Sequence, residues 1–148
     1  MVATDAMVPA RVIAHTDYDS RAGFEEALDA ALVAHGIELI CLAGFMRVLT
    51  PGFVEAWSGK MINIHPSLLP KYKGLHTHRR ALEAGDLEAG CTVHFVSSGV
   101  DEGEIISQAR VPVMADDTEE TLAARVLAQE HVIYPQALKQ LILKDATL

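Results

Sequence analysis

Two short apolar runs, Ile37–Ala43 (IELICLA) and Met61–His65 (MINIH), flank a segment punctuated like a helix, and this constrains the fold most. Thr50 can cap that helix, Pro51 stands at its first position, where no N–H is missed, and Gly59 closes it. A second helix comes before the first run. Asp19 and Ser20 can cap it, Phe24, Ala27, Leu28, Ala31 and Leu32 recur at helical spacing, and Gly36 ends it. A nearly all-apolar run that follows a helix at once reads as a strand buried on both faces of a parallel sheet. With the short alternating patch Arg11–His15 as a further strand, the order is β, α, β, α, β. That order predicts an α/β fold, an open sheet with right-handed crossovers.

Beyond His65 the segment PSLLPKYKG is a loop punctuated by proline and glycine. A helix is expected over Thr77–Ala84, ended by Gly85, and strands over Cys91–Val96 and Ile105–Val113. Only Ser97–Glu104 separates those strands, too little for a parallel crossover, so they should pair antiparallel. Asp117 with Glu120 resembles a capping box. The helix it opens passes Leu122, Val126 and Ile133 on the way to Leu141, and Pro135 should kink or interrupt it.

A length of 148 residues suits a single domain, 1–148. Twelve Lys and Arg against 20 Asp and Glu give a net charge of −8, which disfavours a nucleic-acid partner. No apolar run approaches the roughly 20 residues that span a bilayer, and MVATDAMVPA lacks the pattern of a signal peptide. Cys41 and Cys91 both lie in apolar segments, so a reducing cytoplasm is the natural location.

Ligands of open α/β sheets sit beyond the carboxyl ends of the strands, which directs attention to the residues after Ala43 and around Asn63. Asn63 and His65 are two apart on a strand and share a face. An amide donor beside an imidazole can hold a developing oxyanion and move a proton; the same pair could simply be two satisfied polar groups at a strand end. Asp101, in SSGVDEGE, is either a turn aspartate or a carboxylate that favours the imidazolium of His65. His76-Thr77-His78 suggests a metal, but no CxxC or HExxH supplies further ligands, so no metal is expected. Neither GxGxxG nor GxSxG occurs, which leaves dinucleotide binding and a nucleophile elbow without support. Arg47 reads equally as a surface charge, and Glu130-His131 as a helix face.

Four motifs, in order, resemble the phosphoribosylglycinamide formyltransferase family: Leu42–Leu49 (LAGFMRVL), Met61–Pro70 (MINIHPSLLP) with Gly74–His78 (GLHTH), Cys91–Val96 (CTVHFV) with Val100-Asp101, and Gln129-Glu130-His131 with Tyr134-Pro135. The resemblance implies a Rossmann-like formyltransferase fold, a mostly parallel sheet with an antiparallel hairpin pair near its C-terminal end. It implies formyl transfer from 10-formyltetrahydrofolate, as co-substrate, to the amine of glycinamide ribonucleotide in purine synthesis, with no metal. Asn63, His65 and Asp101 would be the catalytic trio: Asn63 holds the formyl oxygen, His65 is the general acid, and Asp101 assists it and relays a proton through water. Met46, Arg47, Val48 and Leu49 would hold the pterin, Arg21 would reach the ligands, and Glu130 would contact the ribose. Family members open with a strand, a Gly-Asn-Gly-Ser type loop and a helix, then a strand. Met1–Ser20 has no such loop, so the resemblance implies that this N-terminal βαβ portion is missing and that a sheet edge is left exposed. The competing readings are an inactive folate-binding fragment, a formyltetrahydrofolate hydrolase, and methionyl-tRNA formyltransferase, which the acidity and shortness of the chain oppose. A monomer or weak homodimer is expected.

Overall fold

The computed structural model describes residues 6–45 and 47–146. The chain divides into two compact units, Met1–Ile37 and Glu38–Leu148.

The first unit is a 3-10 turn, His15–Asp17, followed by helix α1, Arg21–Ala34. Ser20 is extended, and its hydroxyl accepts the Gly23 N–H at 3.0 Å, as an N-cap should. Gly36 leaves the helix at φ 65°, in the left-handed region. The ring of Phe24 meets His15 and Tyr18 edge-on. The strand expected at Arg11–His15 does not form: residues 11–14 carry no ladder, and His15 begins the 3-10 turn. Alternation needs a partner strand to become a sheet, and the described residues of this unit offer none.

The second unit is a four-stranded sheet in the order β1-β2-β3-β4, formed by Ile40–Leu42, Met61–His65, Glu88–Phe95 and Ile105–Pro112. Helix α2 (Pro51–Ala56) joins β1 to β2, and α3 (Thr77–Glu83) lies between β2 and β3. The Thr50 hydroxyl accepts the Phe53 N–H at 3.4 Å, with Pro51 in the first turn, as its spacing predicts.

The α/β class and the antiparallel hairpin hold, but the sheet is not mostly parallel. Only β1 and β2 run parallel; β2–β3 and β3–β4 are antiparallel. The seven residues of α3 rise only about 10 Å, less than the roughly 17 Å of a five-residue strand. The chain is not carried back to the start of β2. The run Ile37–Ala43 also differs from expectation. Its strand is three residues long, lies at the sheet edge, and leaves Cys41 exposed, so it is not buried on both faces.

Helix α4 (Glu119–Ala146) covers one face of the sheet. Its Leu122, Val126, Ile133 and Ala137 pack on Ile62 of β2, Ala89, Cys91 and Val93 of β3, and Val111 of β4. The capping box lies one residue later than Asp117/Glu120. Thr121 N–H donates to the Thr118 hydroxyl at 3.2 Å, and Thr118 N–H donates to the Thr121 hydroxyl at 2.9 Å. Asp117, outside the helix, instead accepts the Met114 N–H at 2.7 Å and both guanidinium nitrogens of Arg125, at 2.7 and 2.9 Å. The helix runs through Pro135 without interruption. Pro135 and His131, four residues earlier, are both exposed, so water can take the carbonyl bond that proline leaves open.

Candidate active site

The alternation of β2 and β3 sorts their side chains into two sets. Ile62, Cys91 and Val93 belong to the core under α4, while Asn63, His65, Thr92 and His94 face the other way. Register then pairs the second set across the strands, Asn63 with His94 and His65 with Thr92.

Thr92 is fully buried and each of its polar groups is used. Its hydroxyl donates to the Ser67 carbonyl at 2.7 Å and accepts from Leu69 N–H at 3.1 Å and Gln108 Nε2 at 3.0 Å. The Ser67 hydroxyl donates to the Lys71 carbonyl at 2.6 Å, and Arg80 donates to the carbonyls of Lys73 and Leu75 at 2.6 and 3.2 Å. These bonds fix the loop 66–76 above the end of β2, so the Tyr72 carbonyl can accept from His65 Nε2 at 2.9 Å.

With Nε2 donating there, the free nitrogen of His65 is Nδ1, which lies 3.4 Å from Asp101 Oδ2. Asp101 sits in the left-handed region, at φ 50°, on the loop between β3 and β4. Aspartate tolerates that conformation better than most residues. The loop is tied at its base by Phe95 N–H to the Glu104 carbonyl at 2.9 Å. At Gly103 a side chain would run into the Phe95 carbonyl, so only glycine lets the loop turn so close to β3. Gly74 N–H donates to Asp101 Oδ2 at 2.8 Å, which holds the carboxylate from the other side.

His94 completes the cluster. Its Nδ1 donates to the Phe95 carbonyl at 2.8 Å, so Nε2 is the acceptor and receives the Asn63 amide at 3.3 Å. The same Nε2 lies 3.7 Å from Asp101 Oδ1. His65 and His94 are buried, at 5% and 3% exposure, so these polar contacts lie in a low-dielectric setting where each is strengthened.

Of the residues singled out in the sequence, Asn63, His65 and Asp101 are brought together. Glu130, half buried on α4, feels the charge of His65; burial pushes its carboxyl up, with His131 and His65 opposing. Arg47 and Val48 are exposed and Leu49 is half buried on the segment that leaves β1, and Met46 lies outside the described residues. Arg21 is exposed at the first turn of α1, in the other unit. His78, half buried at the start of α3, has its imidazole pushed down by burial. Composition and spacing miss His94 as a site residue. It lies within the CTVHFV motif that carries the resemblance, but its place opposite Asn63 follows from the register once β2 and β3 are aligned antiparallel.

The formyl transferase family model matches residues 2–138. The chain belongs to the formyl transferase family. It is 48% identical over 133 residues to the phosphoribosylglycinamide formyltransferase of Escherichia coli strain K12, which covers 90% of this chain and 63% of that protein. It is 54% identical over 140 residues to the trifunctional purine biosynthetic protein adenosine-3 of Drosophila melanogaster, covering 95% of this chain and 10% of that one. A solved phosphoribosylglycinamide formyltransferase from Brucella melitensis superposes with a TM-score of 0.89 at 50% identity, over 94% of this chain and 71% of the other. The chain thus spans about a tenth of the trifunctional relatives and under two thirds of the Escherichia coli one. No helix among the described residues is long and apolar enough to cross a membrane.

Proposed function

We propose that the chain transfers a formyl group from 10-formyltetrahydrofolate to the amine of glycinamide ribonucleotide. The observation that carries this reading is the convergence of Asn63, His65 and Asp101 on one sheet face, within an arrangement that uses all but a few of their polar atoms. The amine lone pair attacks the formyl carbon, the carbonyl oxygen becomes anionic, and the bond from that carbon to the folate nitrogen N10 breaks. One proton leaves the amine and one reaches N10.

One Asn63 amide hydrogen is given to His94, and the second is free for the formyl oxygen. His65 donates from Nε2 to Tyr72, so Nδ1 carries a proton in the imidazolium form, and that form, with Asp101 Oδ2 at 3.4 Å, is the acid that supplies it. Asp101 keeps Oδ1 for a proton or an ordered water, since Gly74 occupies Oδ2. The pterin is held by Met46, Arg47, Val48 and Leu49. This segment leaves the carboxyl end of β1, which is parallel to β2 and in register with it at Asn63, so donor segment and trio share one rim of the sheet. Glu130 contacts the ribose, and the assignment of Arg21 to ligand binding rests on the family resemblance. The protein acts as one cytoplasmic domain, a monomer or weak homodimer, without a nucleic-acid or membrane partner and without a metal.

The test is tetrahydrofolate release from 10-formyltetrahydrofolate with and without glycinamide ribonucleotide. Nucleotide-dependent release supports the transferase. Release that ignores the nucleotide replaces it with the hydrolase, and folate-analogue binding without release reduces the chain to a binding module.

A further inference from the structure

We propose that Tyr134 is a positioning residue for the formyl-donor segment, because its hydroxyl ties the carboxyl end of β1 to β2 at the level of Asn63. The hydroxyl of this half-buried α4 residue donates to the Leu42 carbonyl at 2.6 Å and lies 3.2 Å from the Ile62 carbonyl. Leu42 is the last residue of β1 and the register partner of Asn63, and the Ile62 carbonyl belongs to the peptide that leads into Asn63. One O–H therefore bridges the two strands where one turns toward the trio and the other leaves the sheet.

Strand β1 has three residues, β2 is its single partner among the described residues, and its interstrand bonds begin at Ile40 N–H to the Lys60 carbonyl, 2.8 Å. Just past Leu42 the backbone turns through Gly44 at φ 64° into the stretch proposed to hold the pterin. By contrast, α4 is firmly seated at this point, since Ile133 and Ala137 on either side of Tyr134 are core residues at 7% and 1% exposure. Burial pushes the Tyr134 hydroxyl up, so it remains a donor across the working range of pH. The bond thus references the end of a three-residue edge strand to a helix seated in the core.

The functional meaning rests on the transfer reaction proposed above, but the clamp itself can be tested without it. Tyr134→Phe keeps the ring and removes only the donor. Hydrogen exchange of the free protein should then accelerate roughly five- to tenfold in a peptide covering residues 40–50, the loss expected for one net hydrogen bond. Peptides from β3 and β4 should be unchanged. Val111→Ala, which trims the core away from β1, serves as the control for a general loss of stability. An unchanged 40–50 peptide, or acceleration spread evenly as in Val111→Ala, overturns the proposal. In turnover, Tyr134→Phe should raise KM for the formyl donor several-fold and leave KM for the nucleotide alone; equal changes in both would also overturn it. If the unaltered chain shows no formyl transfer, the functional reading falls, and the exchange result still decides the clamp.

Discussion

Asn63 carries two amide hydrogens, and what His94 does with one of them decides what the other can do. Because His94 donates from Nδ1 to Phe95, its Nε2 accepts, and the Asn63 amide cannot turn over without losing that bond. Asn63→Ala should lower kcat by about 10²–10³-fold, the usual cost of one oxyanion donor, while the Kd of a folate analogue stays within a few-fold. His94→Phe should lower kcat less, on the order of tenfold, by freeing the amide to rotate; titration of the same analogue separates both effects from lost binding. Glu130 gives a prediction of opposite kind. A carboxyl whose folded value is raised opposes folding once pH passes its ordinary range near 4.5. Glu130→Gln should therefore raise Tm at pH 7, with the gain disappearing below about pH 4. At this scale the sequence shows Asn63 and His65 clearly, since two positions on a strand share a face whatever the strand pairs with. Asp101 is a candidate from its SSGVDEGE loop, where it reads equally as a turn aspartate, and the resemblance assigns it to the trio. Spacing alone could not bring it to His65, because that depends on Gly74 and Gly103 folding two loops onto one another. His94 depends on register, which no local pattern encodes.

Elements were legible where their ends carry their own chemistry. Met61–His65 forms over the expected residues, and Ser20, Thr50 and Gly36 cap as their side chains or backbone require. What failed was what depends on neighbours: among the described residues the strand expected at Arg11–His15 has no partner, and the burial of Ile40–Leu42 would require a second one. The start of α4 lies between these cases. Threonine was an adequate third-position partner for Thr118, and this released Asp117 for Arg125. That pairing and the Met114 N–H hold the Asp117 carboxyl well below its ordinary range. A depressed value stabilises the fold above the unfolded-state pKa, near 3.9, and the gain is lost as pH falls toward the folded one. Asp117→Asn should therefore lower Tm by a constant amount from pH 8 to about pH 5, and the gap to the unaltered protein should close in stronger acid. Thermal melts across that range check it.

For the sheet-bearing unit as a whole, the central strands carry the stability. Leu122 and Val126 of α4 are fully buried against them, and β1 contributes least. Leu122→Ala should cost roughly 2–5 kcal/mol in urea unfolding. Its KM values and kcat, measured well below the new midpoint, should stay close to those of the unaltered protein, because the residue it packs on and the residues of the trio lie on opposite sides of β2 and β3. A parallel fall in kcat would show that the sides are coupled. The alternation along β3 makes the sheet a partition. Under the proposed function, changes at Ala89, Cys91 and Val93 should tune how long the protein survives, and a change at His94, one residue away from Val93, should tune what it does. On that proposal, heat tolerance and turnover can be selected in the same eight residues, by separate routes.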